Sequence, residues 1–185
     1  MEPSEGKKEK SRLLFLYRHW QWAKKRGNVR AGRRHSQGGF KIIFVDTGAL
    51  YALIDKNDIN HPGAKEFYGQ VAGKESLAIS LPILTEAWLL IEARLGSHLA
   101  NTFWKSALEG IFEFLELELD DLRKALLIEN KYPKAGFGIV DSTCFVLCEK
   151  YKIRKVFTYD RRDFSIYRPS FTESLELLPP RTGFM

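Results

Sequence analysis

The chain has 185 residues, of which 44% are hydrophobic and 28% charged, as expected for one folded domain with an extension. Its net charge of +6 is uneven, because residues 1–40 contain 11 Lys and Arg against 3 Asp and Glu, whereas the rest of the chain is almost neutral. No apolar run approaches the ~20 residues of a membrane span and no secretory cleavage site follows the run Leu13–Tyr17, so we expect a cytoplasmic protein without membrane segments.

The first 40 residues differ from the rest of the chain. Residues 1–12 are polar and charged, which predicts disorder. Residues 13–26 mix leucines and tryptophans with Lys and Arg, a pattern typical of a basic amphipathic helix. Residues 27–39 are rich in Gly and Arg, which predicts a flexible basic linker. We therefore place the folded domain at residues 41–180.

From residue 41 onward, strand and helix patterns alternate. Apolar and β-branched runs predict strands at 41–45, 77–80, 111–117 and 155–159, with an edge strand within 171–178. Apolar periodicity and capping residues predict helices at 47–54, 61–71, 82–95, 98–109, 121–132 (capped by Asp120 or Asp121) and 138–151. Because strands separated by helices form parallel sheets, this order predicts an α/β fold with a central, mainly parallel sheet flanked by helices.

Two carboxylates directly follow predicted strands. Asp46 ends the run KIIFV, and Asp160 ends the run KVFTY. Open α/β sheets bind ligands at the carboxyl ends of their strands, so we expect both side chains at one edge of the sheet. Two further acids, Glu86 and Asp141, lie near the starts of predicted helices, where the helix dipole tolerates negative charge.

Each of these four acids taken alone has an ordinary explanation as a cap or a solvated residue. Together they lie beside strongly apolar segments, where unpaired carboxylates are costly. A group of carboxylates without His or Cys partners suits a hard cation such as Mg²⁺ or Mn²⁺. The four acids therefore predict metal-assisted chemistry on phosphate esters.

Hydroxyl groups beside the acids are candidates for supporting roles. Thr47 directly follows Asp46 and can hydrogen-bond a carboxylate or a phosphate oxygen. Thr85 and Ser142 are candidates for the same role. Thr158 belongs to the motif that ends in Asp160, and we place it among the supporting residues.

The segment after Asp160 contains further charges. Asp163 is a further metal ligand, a partner of Arg161 or Arg162, or a cap. The two arginines would bring positive charge to a phosphate substrate through paired hydrogen bonds, unless they belong to a solvated loop. The sequence leaves these alternatives open.

Only two cysteines are present, Cys144 and Cys148, and their spacing places them on one face of a predicted helix. Such a pair gives no disulfide framework, which favours a reducing compartment. A zinc site would need further ligands at a suitable spacing, and His61 and His98 do not provide it. We expect both cysteines to be small core residues.

The four acidic motifs resemble those of the PIN domain. They read DTGALYAL, TEA, GIVDS and FTYDRRDF, and their acids are separated by 40, 55 and 19 residues. The resemblance runs from about residue 41 to residue 178 and is strongest to the VapC-like ribonuclease toxins of prokaryotic toxin–antitoxin pairs. It implies a three-layer α/β/α fold around the central sheet.

The resemblance also implies an activity and partners. The four acids would bind one or two Mg²⁺ or Mn²⁺ ions, and the chain would cut RNA as an endonuclease through attack by a metal-activated water. A cognate antitoxin and a homodimer are expected, the latter through helices within 47–73 or 82–109. Trp88 and Trp104 are candidate contacts, although a core position is favoured for Trp88. A non-catalytic RNA-binding PIN protein and a housekeeping RNA-processing nuclease remain the alternatives.

The first 40 residues depart from the family pattern. They are a mis-assigned start without function, a basic RNA-binding arm in which Tyr17, Trp20 and Trp22 stack on bases, or a segment that docks on a partner. Two other enzyme folds with acids at strand ends fit less well. A haloacid-dehalogenase-type phosphatase needs a second Asp where Gly48 stands, and a phosphate-receiver domain needs paired acids and a late Lys that are not evident.

Overall fold

The computed structural model describes residues 42–180, which form five strands, seven helices and one π-helical turn. The strands are β1 (Ile42–Val45), β2 (Ser76–Ser80), β3 (Glu113–Leu115), β4 (Lys155–Phe157) and β5 (Glu176–Leu178). The helices are α1 (Thr47–Ile54), α2 (His61–Val71), α3 (Leu81–Leu95), α4 (Ser97–Ser106), α5 (Leu119–Lys131), α6 (Gly138–Tyr151) and α7 (Arg161–Ile166). The expectations for residues 1–40, and the domain boundary at 41, lie outside the described residues.

The five strands form one parallel sheet in the order β3-β2-β1-β4-β5. Phe44 of β1 pairs with Ala78 of β2 on one side and with Val156 of β4 on the other. The chain proceeds outward from β1 through β2 to β3, and then continues on the other side with β4 and β5. In such sheets a crevice opens outside the carboxyl ends of the strands where the direction reverses, here between β1 and β4.

Helices cover both faces of the sheet, giving the three-layer α/β/α architecture. Ile43, Phe44 and Val45 of β1 have no exposed surface, as expected for a central parallel strand that is apolar without alternation. Helix α6 is also an interior element, because residues 142–148 are all buried. It packs against α5 and α3. Its Cys144 and Cys148 are buried free thiols, which confirms their core position.

Most predicted elements are confirmed, and their bounds differ where long-range contacts decide them. The third strand spans three residues, because a π-helical turn (Ala107–Ile111) containing Gly110 at φ 91° precedes it. Helix α7 was not predicted. It forms because the Asp160 carboxylate accepts a hydrogen bond from the backbone N–H of Asp163 at 3.0 Å, which caps its first turn. Within residues 42–180, no helix is long and apolar enough to cross a membrane.

The predicted cap of α5 was wrong. Glu118 occupies the N-cap position, and neither Asp120 nor Asp121 does. Asp121 lies in the first turn, where its Oδ2 accepts a hydrogen bond from the backbone N–H of Glu118 at 3.1 Å. Three acids lie within residues 118–121, so the local sequence does not determine which of them caps the helix. Contacts with α6, such as the pair between Asp121 and Lys150, decide it.

Candidate functional site

Asp46 is buried at the end of β1, where it is the N-cap of α1. Its Oδ1 accepts a hydrogen bond from the backbone N–H of Thr47 at 2.7 Å, and its Oδ2 accepts one from the Thr158 hydroxyl at 2.9 Å. Burial raises the pKa of Asp46 to about 6, the two hydrogen bonds oppose this rise, and the charges of Glu86 and Asp160 add to it. The carboxylate is therefore held in one orientation at a position where negative charge is unfavourable.

Glu86 lies in the second turn of α3, and its side chain is exposed. Its Oε2 accepts a hydrogen bond from the Thr47 hydroxyl at 2.5 Å. Helices α1 and α3 pack against each other, which brings this carboxylate to the same edge of the sheet as Asp46. Thr47 thus donates to both carboxylates, from its backbone N–H and from its hydroxyl.

Thr158 connects Asp46 to Asp160. Besides donating to Asp46, its Oγ1 accepts a hydrogen bond from the backbone N–H of Asp160 at 2.9 Å. Asp163 is buried one turn later, and its Oδ1 has no hydrogen-bond partner among the described residues, although Nη1 of Arg162 lies 3.3 Å away. Burial and the charge of Asp160 raise the pKa of Asp163, and the guanidinium of Arg162 opposes the rise.

Asp141 lies half-buried in the first turn of α6. Burial raises its pKa to about 8, and the surrounding carboxylates add to this rise; they are Asp46, Asp160, Asp163 and Glu86, in decreasing order of effect. The structure therefore brings the four acids singled out in the sequence, together with Asp163, within electrostatic reach of one another beside the carboxyl ends of β1 and β4.

The donor set of this site consists of carboxylate oxygens, with hydroxyl groups beside them. Such a set suits Mg²⁺ or Mn²⁺ better than a soft metal. The buried Oδ1 of Asp163, which makes no hydrogen bond and has the Arg162 guanidinium beside it, and the raised pKa values of Asp46 and Asp141 also fit a nearby cation, which would stabilise the ionised carboxylates. Among residues 42–180, no three His, Cys, Asp or Glu side chains are already spaced as a ligand set. The metal site therefore stays a prediction, supported by donor chemistry.

Arg161 and Arg162 lie in α7 and not in a solvated loop. Arg161 donates a hydrogen bond to the backbone oxygen of Pro179, and Arg162 donates one to the backbone oxygen of Ala135 at 2.9 Å. Both guanidinium groups thus hold neighbouring segments against α7. Contact between either arginine and a phosphate stays a prediction.

Two other hydroxyl groups form contacts away from the four acids. Thr85 is exposed and donates to the backbone oxygen of Leu81 at 2.9 Å, within its own helix, and its contact with a carboxylate or phosphate oxygen stays a prediction. Ser142 is buried and donates to Oε1 of Glu129 in α5 at 2.5 Å. The sequence contains no clear sign of Glu129. The one local hint was a serine, directly after Asp141, on the side of the helix that faces the core.

Comparison with known proteins agrees with this architecture. The PIN domain family matches residues 43–168, a range that runs from the second residue of β1 past the end of α7 and includes all four acids. The chain is 28% identical over 127 residues to the ribonuclease VapC26 of Mycobacterium tuberculosis, an alignment that covers 69% of this chain and 93% of that protein.

The fold also resembles a solved structure. The crystal structure of VapC20 from Mycobacterium tuberculosis, a Sarcin-Ricin loop cleaving toxin, matches with a TM-score of 0.64 and 24% identity over 70% of this chain and 98% of that one. At this identity the likeness supports the fold. Because the family match spans most of the chain and includes all four acids of the candidate site, the chain belongs to the PIN domain family.

Proposed function

We propose that this PIN-domain chain is a metal-dependent endoribonuclease that hydrolyses RNA phosphodiester bonds. The observation that carries the proposal is the grouping of Asp46, Glu86, Asp141 and Asp160 at the reversal point of the sheet. A cluster of carboxylates repels a phosphate, so a phosphodiester substrate requires a cation between them. Similarity to a protein named ribonuclease VapC26 points to RNA as the substrate.

The four acids would hold one or two Mg²⁺ or Mn²⁺ ions, and Asp163 offers a further oxygen. When bound, such a cation would lower the pKa of an attacking water and stabilise charge on the leaving oxygen. The chain's own contribution is orientation. Thr47 fixes Asp46 and Glu86, and Thr158 fixes Asp46 and the backbone of Asp160. Fixed donors and acceptors lower the reorganisation that the reaction requires.

Cleavage of a panel of labelled RNAs tests the proposal. The full chain is assayed with Mg²⁺, with Mn²⁺ and with EDTA, beside Asp141→Asn. The matched control is Asp120→Asn, which neutralises an exposed acid paired with Lys124 at the start of α5. We expect cleavage that depends on the cation, is lost in Asp141→Asn and is retained in Asp120→Asn.

Two outcomes would contradict the proposed enzyme. Cleavage by Asp141→Asn at the wild-type rate would remove this acid from the mechanism. RNA binding in EDTA without cleavage under any condition would favour the non-catalytic RNA-binding protein. In both cases circular dichroism of the variant establishes that the fold is unchanged.

We also propose that the chain is the toxin of a toxin–antitoxin pair and acts in the cytoplasm, where its RNA target and a cognate antitoxin would be found. The similarity to VapC20, which is described as a toxin, supports this assignment. Expression of the wild-type chain should arrest growth, whereas Asp141→Asn should not. Normal growth despite active RNA cleavage would favour the housekeeping nuclease.

A homodimer is part of the same proposal, and α4 offers a suitable surface. Trp104 near the end of this helix and Leu108 in the π-helical turn that follows it are 49% and 67% exposed. Trp88 packs partly buried against the core and is a weaker candidate. Trp104→Glu should convert a dimer to a monomer in light scattering, and an unchanged mass would place the contact elsewhere.

A further inference from the structure

Within residues 42–180, no side chain caps the first turn of α6, which contains Asp141. Phe137 occupies the N-cap position, and its ring cannot accept a hydrogen bond from the helix. Gly136 and Gly138 lead into the helix at φ values of 67° and 82°, so neither has a side chain that could hold this part of the backbone. The local sequence therefore does not fix the helix start, and the position of Asp141 depends on contacts with other elements.

One such contact joins the residue after Asp141 to the neighbouring helix α5. Ser142 has no exposed surface, and its hydroxyl donates a hydrogen bond to Oε1 of the half-buried Glu129 at 2.5 Å. A hydroxyl that donates to a carboxylate forms one of the stronger hydrogen bonds in proteins, and removal of either partner leaves a polar group without its bond. The contact therefore holds the start of α6 against α5 in one direction.

We propose that Glu129 is a positioning residue for Asp141 and acts through Ser142. Asp141 and Ser142 are consecutive in one helical turn, so a directional bond to the second limits both translation and rotation of the first. Phe137 packs against Phe145 with ring centroids 4.9 Å apart, which adds apolar contact at the same helix start but no directional bond. The role of Asp141 as a metal ligand, which this positioning would serve, rests on the proposed function.

The orientation of a carboxylate affects how well it holds a cation. A functional site needs its side chains placed to within about 0.5 Å, and loss of a partner that orients a ligand lowers metal affinity by about 10-fold to 100-fold. Asp141 needs such support in particular, because the like charges of the surrounding carboxylates repel it. Loss of the bond between Glu129 and Ser142 should therefore weaken cation binding although every ligand is still present.

Two substitutions of nearly the same shape separate the hydrogen bond from the charge. Glu129→Gln removes the charge and keeps a carbonyl oxygen that can accept from Ser142, whereas Glu129→Met removes both. Glu75→Met is the matched control, because it makes the same change at a half-buried glutamate that pairs with Lys155 at 2.9 Å. Lys155 begins β4, so this pair lies at the amino edge of the sheet, opposite the edge where the four acids lie.

Binding of Mn²⁺ to the full chain measures the effect without RNA. Electron paramagnetic resonance of the free ion gives the dissociation constant for each variant. We expect Glu129→Met to weaken binding by about tenfold, and Glu129→Gln and Glu75→Met to stay near the wild-type value. Ser142→Ala should weaken binding by the same factor as Glu129→Met. The two substitutions combined should cause no further loss, because each of them removes the same contact.

Hydrogen exchange tests the same contact without a cation. In an α-helix the amides of residues 142–145 donate to the carbonyl oxygens of residues 138–141, so their exchange reports opening of the first turn. Exchange is measured by NMR in EDTA and compared with the amides of β1 in the same variant, which corrects for any change in global stability. It should be about fivefold faster in Glu129→Met than in Glu129→Gln or Glu75→Met, the effect of one typical hydrogen bond.

Other results would overturn the proposal. Equal losses of Mn²⁺ affinity in Glu129→Gln and Glu129→Met would show that the charge of Glu129 acts directly and that the bond to Ser142 does not matter. Wild-type affinity in Glu129→Met would remove Glu129 from the site altogether. A wild-type chain that binds no Mn²⁺ would count against the proposed nuclease, and the exchange rates would then decide alone: equal rates in Glu129→Met and Glu129→Gln would show that Glu129 does not hold the first turn of α6.

Discussion

A single buried hydroxyl connects the carboxylate of Asp46 to the backbone of Asp160, the two acids that follow the central strands. Thr158 has no exposed surface, and its Oγ1 donates to Asp46 and accepts from the backbone N–H of Asp160. Both contacts lie at the end of β4, where the backbone N–H of Asp46 also bonds to the oxygen of Phe157 at 3.0 Å. The side chain therefore determines where two of the acids stand relative to the sheet.

Thr158→Val tests this role, because valine keeps the shape and removes the hydroxyl. An unpartnered carboxylate oxygen and an unpartnered N–H should cost about 1–3 kcal/mol of unfolding free energy. Cleavage of RNA should fall by about tenfold, as a misplaced carboxylate would cause. Thr158→Ser should restore most of both quantities, measured by urea denaturation and by initial rates. A valine variant with wild-type rate and stability would contradict the role.

Asp141 carries the largest electrostatic cost of the site. Burial and four neighbouring carboxylates raise its pKa to about 8, and burial raises that of Asp46 to about 6. The folded chain therefore binds protons that the unfolded chain has already released, so without a cation its stability should fall as the pH rises from about 4 to about 8. Neutralising the Asp141 side chain should remove part of this dependence of stability on pH.

Asp141→Asn should accordingly raise the melting temperature in EDTA at pH 8, by several degrees or about 1–2 kcal/mol. Mg²⁺ or Mn²⁺ should raise the melting temperature of the wild-type chain and have a smaller effect on the variant, because one ligand is lost. Asp120→Asn is the control and should show neither change. A variant that melts at or below the wild-type temperature in EDTA would refute the electrostatic argument.

Helices α5 and α6 are joined by a charged contact at the start of α5. Asp121 is 2% exposed, accepts a hydrogen bond from the backbone of Glu118, and pairs with Nζ of Lys150 in α6 at 2.7 Å. Burial alone would raise the pKa of Asp121, but the hydrogen bonds from Lys150 and Glu118 lower it overall. The contact positions α6, and with it Asp141, against α5.

Asp121→Asn should destabilise the chain by about 1–3 kcal/mol at pH 7, because a buried charged hydrogen bond is weakened. A carboxyl with a lowered pKa contributes stability above its unfolded pKa and loses it as the pH falls. The difference between the wild type and the variant should therefore shrink below about pH 4. Urea denaturation at pH 7 and at pH 3.5 measures it, with Asp120→Asn as the exposed control; a difference independent of pH would argue against the pairing.

The elements show which parts of the fold are readable from the sequence. Strand β1 and helix α1 were predictable because an uninterrupted apolar run and a capping Asp46 are local features. The joint location of Asp46 and Asp160 followed from the rule for parallel strands. Helix α7 and the contact between Ser142 and Glu129 were not predictable, because a short capped turn and a partner thirteen positions away leave no periodic pattern.

At the scale of the whole molecule, charge is divided between two parts of the chain. Residues 1–40 are strongly basic, whereas the described domain has carboxylates at the four-acid site and along an adjoining groove that Glu86, Glu116 and Glu118 line. The groove was not visible in the sequence, because its lining comes from α3, β3, α5 and the start of α6, which are far apart along the chain.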